Sequence, residues 1–140
     1  MKTTSRKSGP TAGRITLKRV YLAPEKGDGI RILVDRLWPR GLGTKAARLD
    51  LWLRDIAPSD DLRRWFGHDP ERWPEFKRRY KAELKGRGDE LQPIRAALAK
   101  GKATLLFAAK DEAHNNAVVL KEMIESRERA AAKRRKRVAR

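Results

Sequence analysis

The chain has no cysteine, only two histidines, and no apolar run near the twenty or so residues that a membrane-spanning helix needs. Without cysteine there is no disulfide, thiolate nucleophile or thiolate metal site, so any chemistry must use oxygen and nitrogen groups. The start, Met1-Lys2-Thr3-Thr4-Ser5-Arg6-Lys7, is basic but lacks the apolar region of a signal peptide. A cytoplasmic setting with no membrane association is the expectation. Acid is missing from both ends. Residues 1–14 carry four Lys or Arg, residues 129–140 carry seven, and neither stretch has an Asp or Glu. Of the net charge of +17, only +6 belongs to residues 15–128. Strong basicity invites a nucleic-acid reading, but here it sits in two stretches poor in large apolar residues, which cannot order themselves by burial.

At 140 residues the chain fits one domain with a single core. The expected organisation is a disordered basic leader (1–14), an α/β domain (15–128) and a disordered basic C-terminal tail (129–140). Ile15 to Leu22 reads as a strand whose alternation slips near Lys18, as a bulge or a two-sided strand would make it. Ile30 to Val34 reads as the next strand. The turn-rich link between them suggests an antiparallel hairpin.

The middle of the chain reads as helical. Ser59 is a good N-cap for a short helix ending at Gly67, and Asp69-Pro70 opens another in which Trp73, Phe76, Tyr80 and Leu84 share a face. Asp89, with Gln92 in capping-box position, predicts a third helix that ends at Gly101. Ala103-Thr104-Leu105-Leu106-Phe107-Ala108 lacks polar alternation and predicts a central strand covered on both faces, parallel to the 30–35 strand. A last helix runs from about Asn115 to at least Arg127. The fold class is therefore a small α/β domain with a short, mostly parallel sheet flanked by helices.

Two loops carry the chemistry. Asp35-Arg36-Leu37-Trp38-Pro39-Arg40-Gly41 follows one strand, and Lys110-Asp111-Glu112-Ala113-His114-Asn115-Asn116 follows the other. Parallel neighbours would release both loops at the same sheet edge, where open α/β folds bind ligands. Arg36 and Arg40 can fork onto a phosphate or carboxylate, Asp35 can orient a guanidinium or act as a base, and Trp38 can stack on a flat ring. An internal Asp–Arg pair with Trp38 in the core would explain the first loop equally well. In the second, Lys110 and the helix N-terminus favour an anion. Histidine ordinarily titrates near neutrality, so His114 is the acid/base candidate, with Asp111 to fix its tautomer and Asn115 or Asn116 to donate to an oxyanion. The plain alternative is helix capping.

His68, in Gly67-His68-Asp69-Pro70, reads more simply as helix-junction chemistry. The two histidines show no metal-ligand spacing, so no metal is expected. No glycine-rich dinucleotide or P-loop fingerprint is present, and no cofactor is named by the sequence.

Val34-Asp35-Arg36-Leu37-Trp38-Pro39-Arg40-Gly41, Trp65-Phe66-Gly67-His68-Asp69-Pro70 and Ala109-Lys110-Asp111-Glu112-Ala113-His114-Asn115-Asn116-Ala117 together resemble the YeaO-like family, domain of unknown function 488. The resemblance spans roughly residues 15–125 and leaves both basic ends outside it. It implies a small α/β fold and no particular reaction. Other branches of that wider family carry cysteines and a Cys-His-Arg run where this chain has His114-Asn115-Asn116, so a cysteine-based mechanism does not transfer.

Three functional expectations follow. The first is binding, or metal-independent hydrolysis or group transfer, of an anionic small molecule at the two loops, nucleotide-like if Trp38 stacks. The second is a nucleic-acid-associated protein that uses its basic ends. The third is a non-catalytic partner-binding module. The oligomeric state is not legible.

Overall fold

The computed structural model describes residues 14–138; the rest of the leader, residues 1–13, and residues 139–140 lie outside it. Four strands form one parallel sheet: β1 (Ile15–Arg19), β2 (Ile30–Leu33), β3 (Leu51–Trp52) and β4 (Ala103–Phe107), in the order β1-β4-β2-β3. Among the described residues five α-helices accompany them: α1 (Thr44–Ala47), α2 (Asp60–Phe66), α3 (Trp73–Lys85), α4 (Gln92–Lys100) and α5 (Asn116–Val138).

The expected hairpin does not form. β4 lies between β1 and β2, with Ile15 and Ile30 both in register with Ala103. All five residues of β4 are buried, and such a strand is most stable inside the sheet, where both its faces are covered. Returning along a strand of five residues and stepping across two interstrand gaps requires about 20 Å, and the ten-residue link 20–29 reaches about 33 Å. At Gly29 (φ +68°) an added Cβ would lie 2.2 Å from the Lys102 carbonyl oxygen, so only glycine lets the link pass beside β4.

The phase slip near Lys18 reflects a two-sided strand. Leu17 packs toward the main core, while Thr16 points the other way and its hydroxyl lies 2.7 Å from that of Thr104. β1 ends at Arg19, three residues short of the expected Leu22. β3 was not expected from sequence, although Leu49-Asp50-Leu51-Trp52-Leu53 carries a faint alternation.

The helical expectations hold for α2 and α3. The Ser59 hydroxyl accepts from Leu62 N–H, Gly67 closes α2 in the left-handed region, and Phe76, Tyr80 and Leu84 are buried along α3. The capping box at Asp89 is absent. A 3-10 turn occupies Gly88–Leu91 and α4 starts at Gln92 with no side-chain cap. Pro93 explains this, because its ring disfavours an α turn upstream and is tolerated only in the first turn.

The sheet's two faces differ. Ile32, Val34, Leu105 and Phe107 meet the helices in the main core. The other face holds a smaller cluster, Val20, Leu33 and Leu106, covered by Trp38, Leu42 and Leu49 from the loops around α1 and by Trp52 of β3. Residues 129–138, expected as a disordered tail, continue α5. Ala130–Ala132 and the Arg/Lys run are strong helix formers, and the cations favour a helix C-terminus. No helix among the described residues is long and apolar enough to cross a membrane.

Candidate functional site

β2 and β4 are parallel neighbours, so their following loops leave one sheet edge together. They open onto a cleft of about 720 Å³. All nine site residues anticipated from sequence line it: Asp35, Arg36, Trp38, Arg40, Lys110, Asp111, His114, Asn115 and Asn116.

Asp35 ties the two strand ends together. One carboxylate oxygen accepts from Ala108 N–H at 2.8 Å, and the other accepts from Asn116 Nδ2 at 3.2 Å. Asn116 Nδ2 also donates to the Val34 carbonyl at 2.9 Å. Burial pushes the Asp35 carboxyl above its ordinary value, and the Ala108 N–H and Asn116 offset this only in part. Asp35 therefore orients neither arginine of its own loop; both the internal-pair explanation and the guanidinium-orienting role give way to a clamp between strands.

Arg36 is the group with unspent capacity. Its Nε is buried and makes no hydrogen bond among the described residues; the nearest carboxylate oxygen, Asp60 Oδ1, is 3.7 Å away. A buried donor in this condition costs about 1–3 kcal/mol. Arg40 is exposed at the rim, where its carbonyl oxygen accepts from the Tyr21 hydroxyl at 2.8 Å. Trp38 is partly committed to structure: its indole N–H donates to the Leu42 carbonyl at 2.6 Å, and its ring meets Trp52 edge-on at 5.4 Å.

On the second loop Asp111 does two things. One oxygen accepts from Ala113 N–H at 2.9 Å and His114 N–H at 3.1 Å, and the other lies 2.8 Å from His114 Nδ1. The hydrogen bond with the His114 ring, followed by the Ala113 N–H, holds the Asp111 carboxyl below its ordinary value. Asp111 thus closes the turn ahead of α5 and holds the His114 ring, while the cap of α5 falls to Asn115. Asn115 is buried and structural, since its Nδ2 donates to the Asp111 carbonyl at 2.9 Å and its Oδ1 accepts from Val118 N–H at 3.2 Å. Lys110 is exposed at the mouth.

Sequence reasoning missed the third wall. Ala57, Pro58, Arg63, Phe66, His68 and Phe76 complete the cleft, and the rings of Phe66 and Phe76 stack at 4.3 Å. His68 follows Gly67 in the left-handed region, with φ 58° and 53° respectively, a conformation that is uncommon for a residue with a Cβ. The unusual Gly-His-Asp-Pro junction was the available signal. Among the cleft's lining residues four cations, Arg36, Arg40, Arg63 and Lys110, face two carboxylates, Asp35 and Asp111. Among the described residues, no group of three His, Asp or Glu gathers closely enough to hold a metal ion.

A family described as the inactive DUF488-N3 subclade matches residues 14–139. The chain belongs to that family. The DUF488-N3 match includes the basic end of α5, which the narrower motif-based resemblance had left outside. The YeaO protein of Escherichia coli, uncharacterised, is 40% identical over 112 residues, covering 80% of this chain and 97% of that protein. An uncharacterised protein of Mycobacterium tuberculosis is 37% identical over 114 residues, covering 81% and 96%. No solved structure matches the chain.

Proposed function

We propose that this DUF488-N3 member uses the two-loop cleft to bind a small anionic molecule that carries a flat apolar part, as a mononucleotide does. The observation that carries the reading is Arg36 Nε, a buried cationic donor with no hydrogen-bond partner among the described residues, on a cleft wall with three further cations. A phosphate or carboxylate oxygen brought to the Arg36 guanidinium would satisfy it, and a guanidinium donates to such groups in bidentate fashion. The stacked Phe66 and Phe76 offer an apolar wall suited to the rest of the ligand.

Binding without turnover is the form we favour. The chain has no cysteine, and the family it belongs to is described as inactive. Turnover remains the second reading because the Asp111–His114 pair, 2.8 Å apart on the cleft wall, is the arrangement that general acid–base catalysis uses.

The test is calorimetric titration of the full chain with orthophosphate, mononucleotides and aromatic carboxylates, alongside chromatography for product. Tight mononucleotide binding, weaker orthophosphate binding and no product are expected, with binding weakened about 10- to 100-fold in Arg36→Gln. If no probe binds at millimolar concentration, the reading fails. Product formation that His114→Ala abolishes while ligand still binds would replace it with the catalytic one.

A further inference from the structure

α5 divides into an anchored half and a free half. Ala117, Val119, Leu120, Met123 and Ile124 are buried against the domain, and no described residue beyond Ile124 is. Residues 126–138 therefore form an overhang of about 20 Å, at 1.5 Å per residue. It carries seven Lys or Arg, namely Arg127, Arg129, Lys133, Arg134, Arg135, Lys136 and Arg137, against one acid, Glu128.

These cations differ from those on α3. Lys77 and Lys81 reach Glu122, while Arg78 and Arg79 share Glu75. On the overhang, no Lys or Arg has a carboxylate within 4.0 Å among the described residues, and residues 133–137 are all exposed. At about 100° per residue, the consecutive run 133–137 points cations to every side of the helix axis.

That distribution selects the partner. A helix that lies on a membrane needs one large apolar side, and here only Ala130–Ala132 and Val138 are apolar. A slender helix cationic all round instead matches the DNA major groove, which admits an α-helix between two rows of phosphates. We propose that the free end of α5 is a docking element for double-stranded DNA, inserted in the major groove and held by phosphate contacts independently of base sequence. Its placement beyond the packed domain leaves the cleft open, so the two sites act separately.

The test measures binding of the full chain to a labelled DNA duplex by fluorescence anisotropy across a salt series, with an RNA duplex of the same length and phosphatidylserine-containing vesicles as competitors. Each phosphate neutralised contributes about −0.9 to the slope of log affinity against log salt. Four to five engaged cations thus predict a slope near −4 and a loss of roughly two powers of ten between 50 and 200 mM salt. The triple variant Arg134→Gln/Arg135→Gln/Arg137→Gln should lower the slope by about 2.7, with unchanged thermal unfolding because these side chains touch no core residue. Arg78→Gln/Arg79→Gln, which removes cations already paired on α3, should bind DNA as the unaltered chain does. Equal DNA binding by the triple variant would overturn the proposal, as would stronger competition by the RNA duplex or the vesicles.

Discussion

Two aspartates close to β2 show how differently this domain treats its buried charge. Asp28 precedes the strand and sits on the loop-covered face. Its carboxylate takes Arg31 Nη1 at 2.6 Å and Lys18 Nζ at 3.1 Å, while Arg31 also donates to the carbonyls of Ala47 and Arg48. Burial alone would raise the Asp28 carboxyl, but the Glu25 N–H, Lys18 and Arg31 outweigh it and hold the group below its ordinary value. Asp35 follows the same strand and has only neutral donors, Ala108 N–H and Asn116 Nδ2, so there burial wins and the carboxyl rises. At the first site every charge has a partner, which is what a structural network requires. At the second, Asp35 and Arg36 share one cleft without pairing with each other, and Arg36 has only a loose contact with Asp60 at 3.7 Å, so its Nε still has something for a ligand to satisfy.

Breaking the first site should produce the largest effect. Asp28→Ala strands a buried guanidinium and is expected to cost about 3 kcal/mol of stability, read as a lower midpoint in urea unfolding. The corresponding change in the cleft, Arg36→Gln, should leave that midpoint within about 1 kcal/mol while weakening ligand binding by about 10- to 100-fold, the worth of a charge-assisted hydrogen bond. If Arg36→Gln destabilises the fold as strongly as Asp28→Ala, the contrast between the sites disappears.

Acid sharpens the comparison further. The native Asp28 carboxyl is lowered, so its stabilisation is complete above the usual 3.8 and is lost as pH falls through the native value. The stability gap between the unaltered chain and Asp28→Ala should accordingly shrink below about pH 4. Asp35 has the opposite sign. Its native carboxyl is raised, so ionisation costs stability as pH rises through the native value, and the unaltered chain should gain stability relative to Asp35→Asn as pH falls. Unfolding midpoints collected between neutral pH and the acid limit of folding would show the two gaps moving in opposite directions, or refute the assignment. The smallest effect belongs to Lys110→Gln at the exposed cleft mouth: a two- to threefold loss of affinity at low salt that vanishes in high salt, seen by titration.

How far the sequence reached depended on whether a feature was local. Ser59 as a cap, Gly67 as a stop, the α3 core face of Phe76, Tyr80 and Leu84, and the doubly covered β4 all follow from residue type and spacing within one segment. The capping box at Asp89 failed locally too, because Pro93 competed with it. The nine anticipated cleft residues came together because both loops follow parallel strands, and that prediction needed only the edge rule for α/β sheets.

What the sequence determined by itself was the inventory: helices and strands of the right kind, chemistry without thiols, and two loops rich in cations and proton carriers. Which groups would be consumed by the fold was decided only in three dimensions. Asp35 and Asn116 are eighty-one residues apart and became a clamp, Asn115 became a cap, and Arg36 was left with a donor to spare. Strand order was also a tertiary outcome, since β4 entered between β1 and β2 to bury both its faces. Local pattern sets what each segment can form; pairing between distant segments is set by which arrangement buries most apolar surface while satisfying most polar groups, and only the folded chain evaluates that balance.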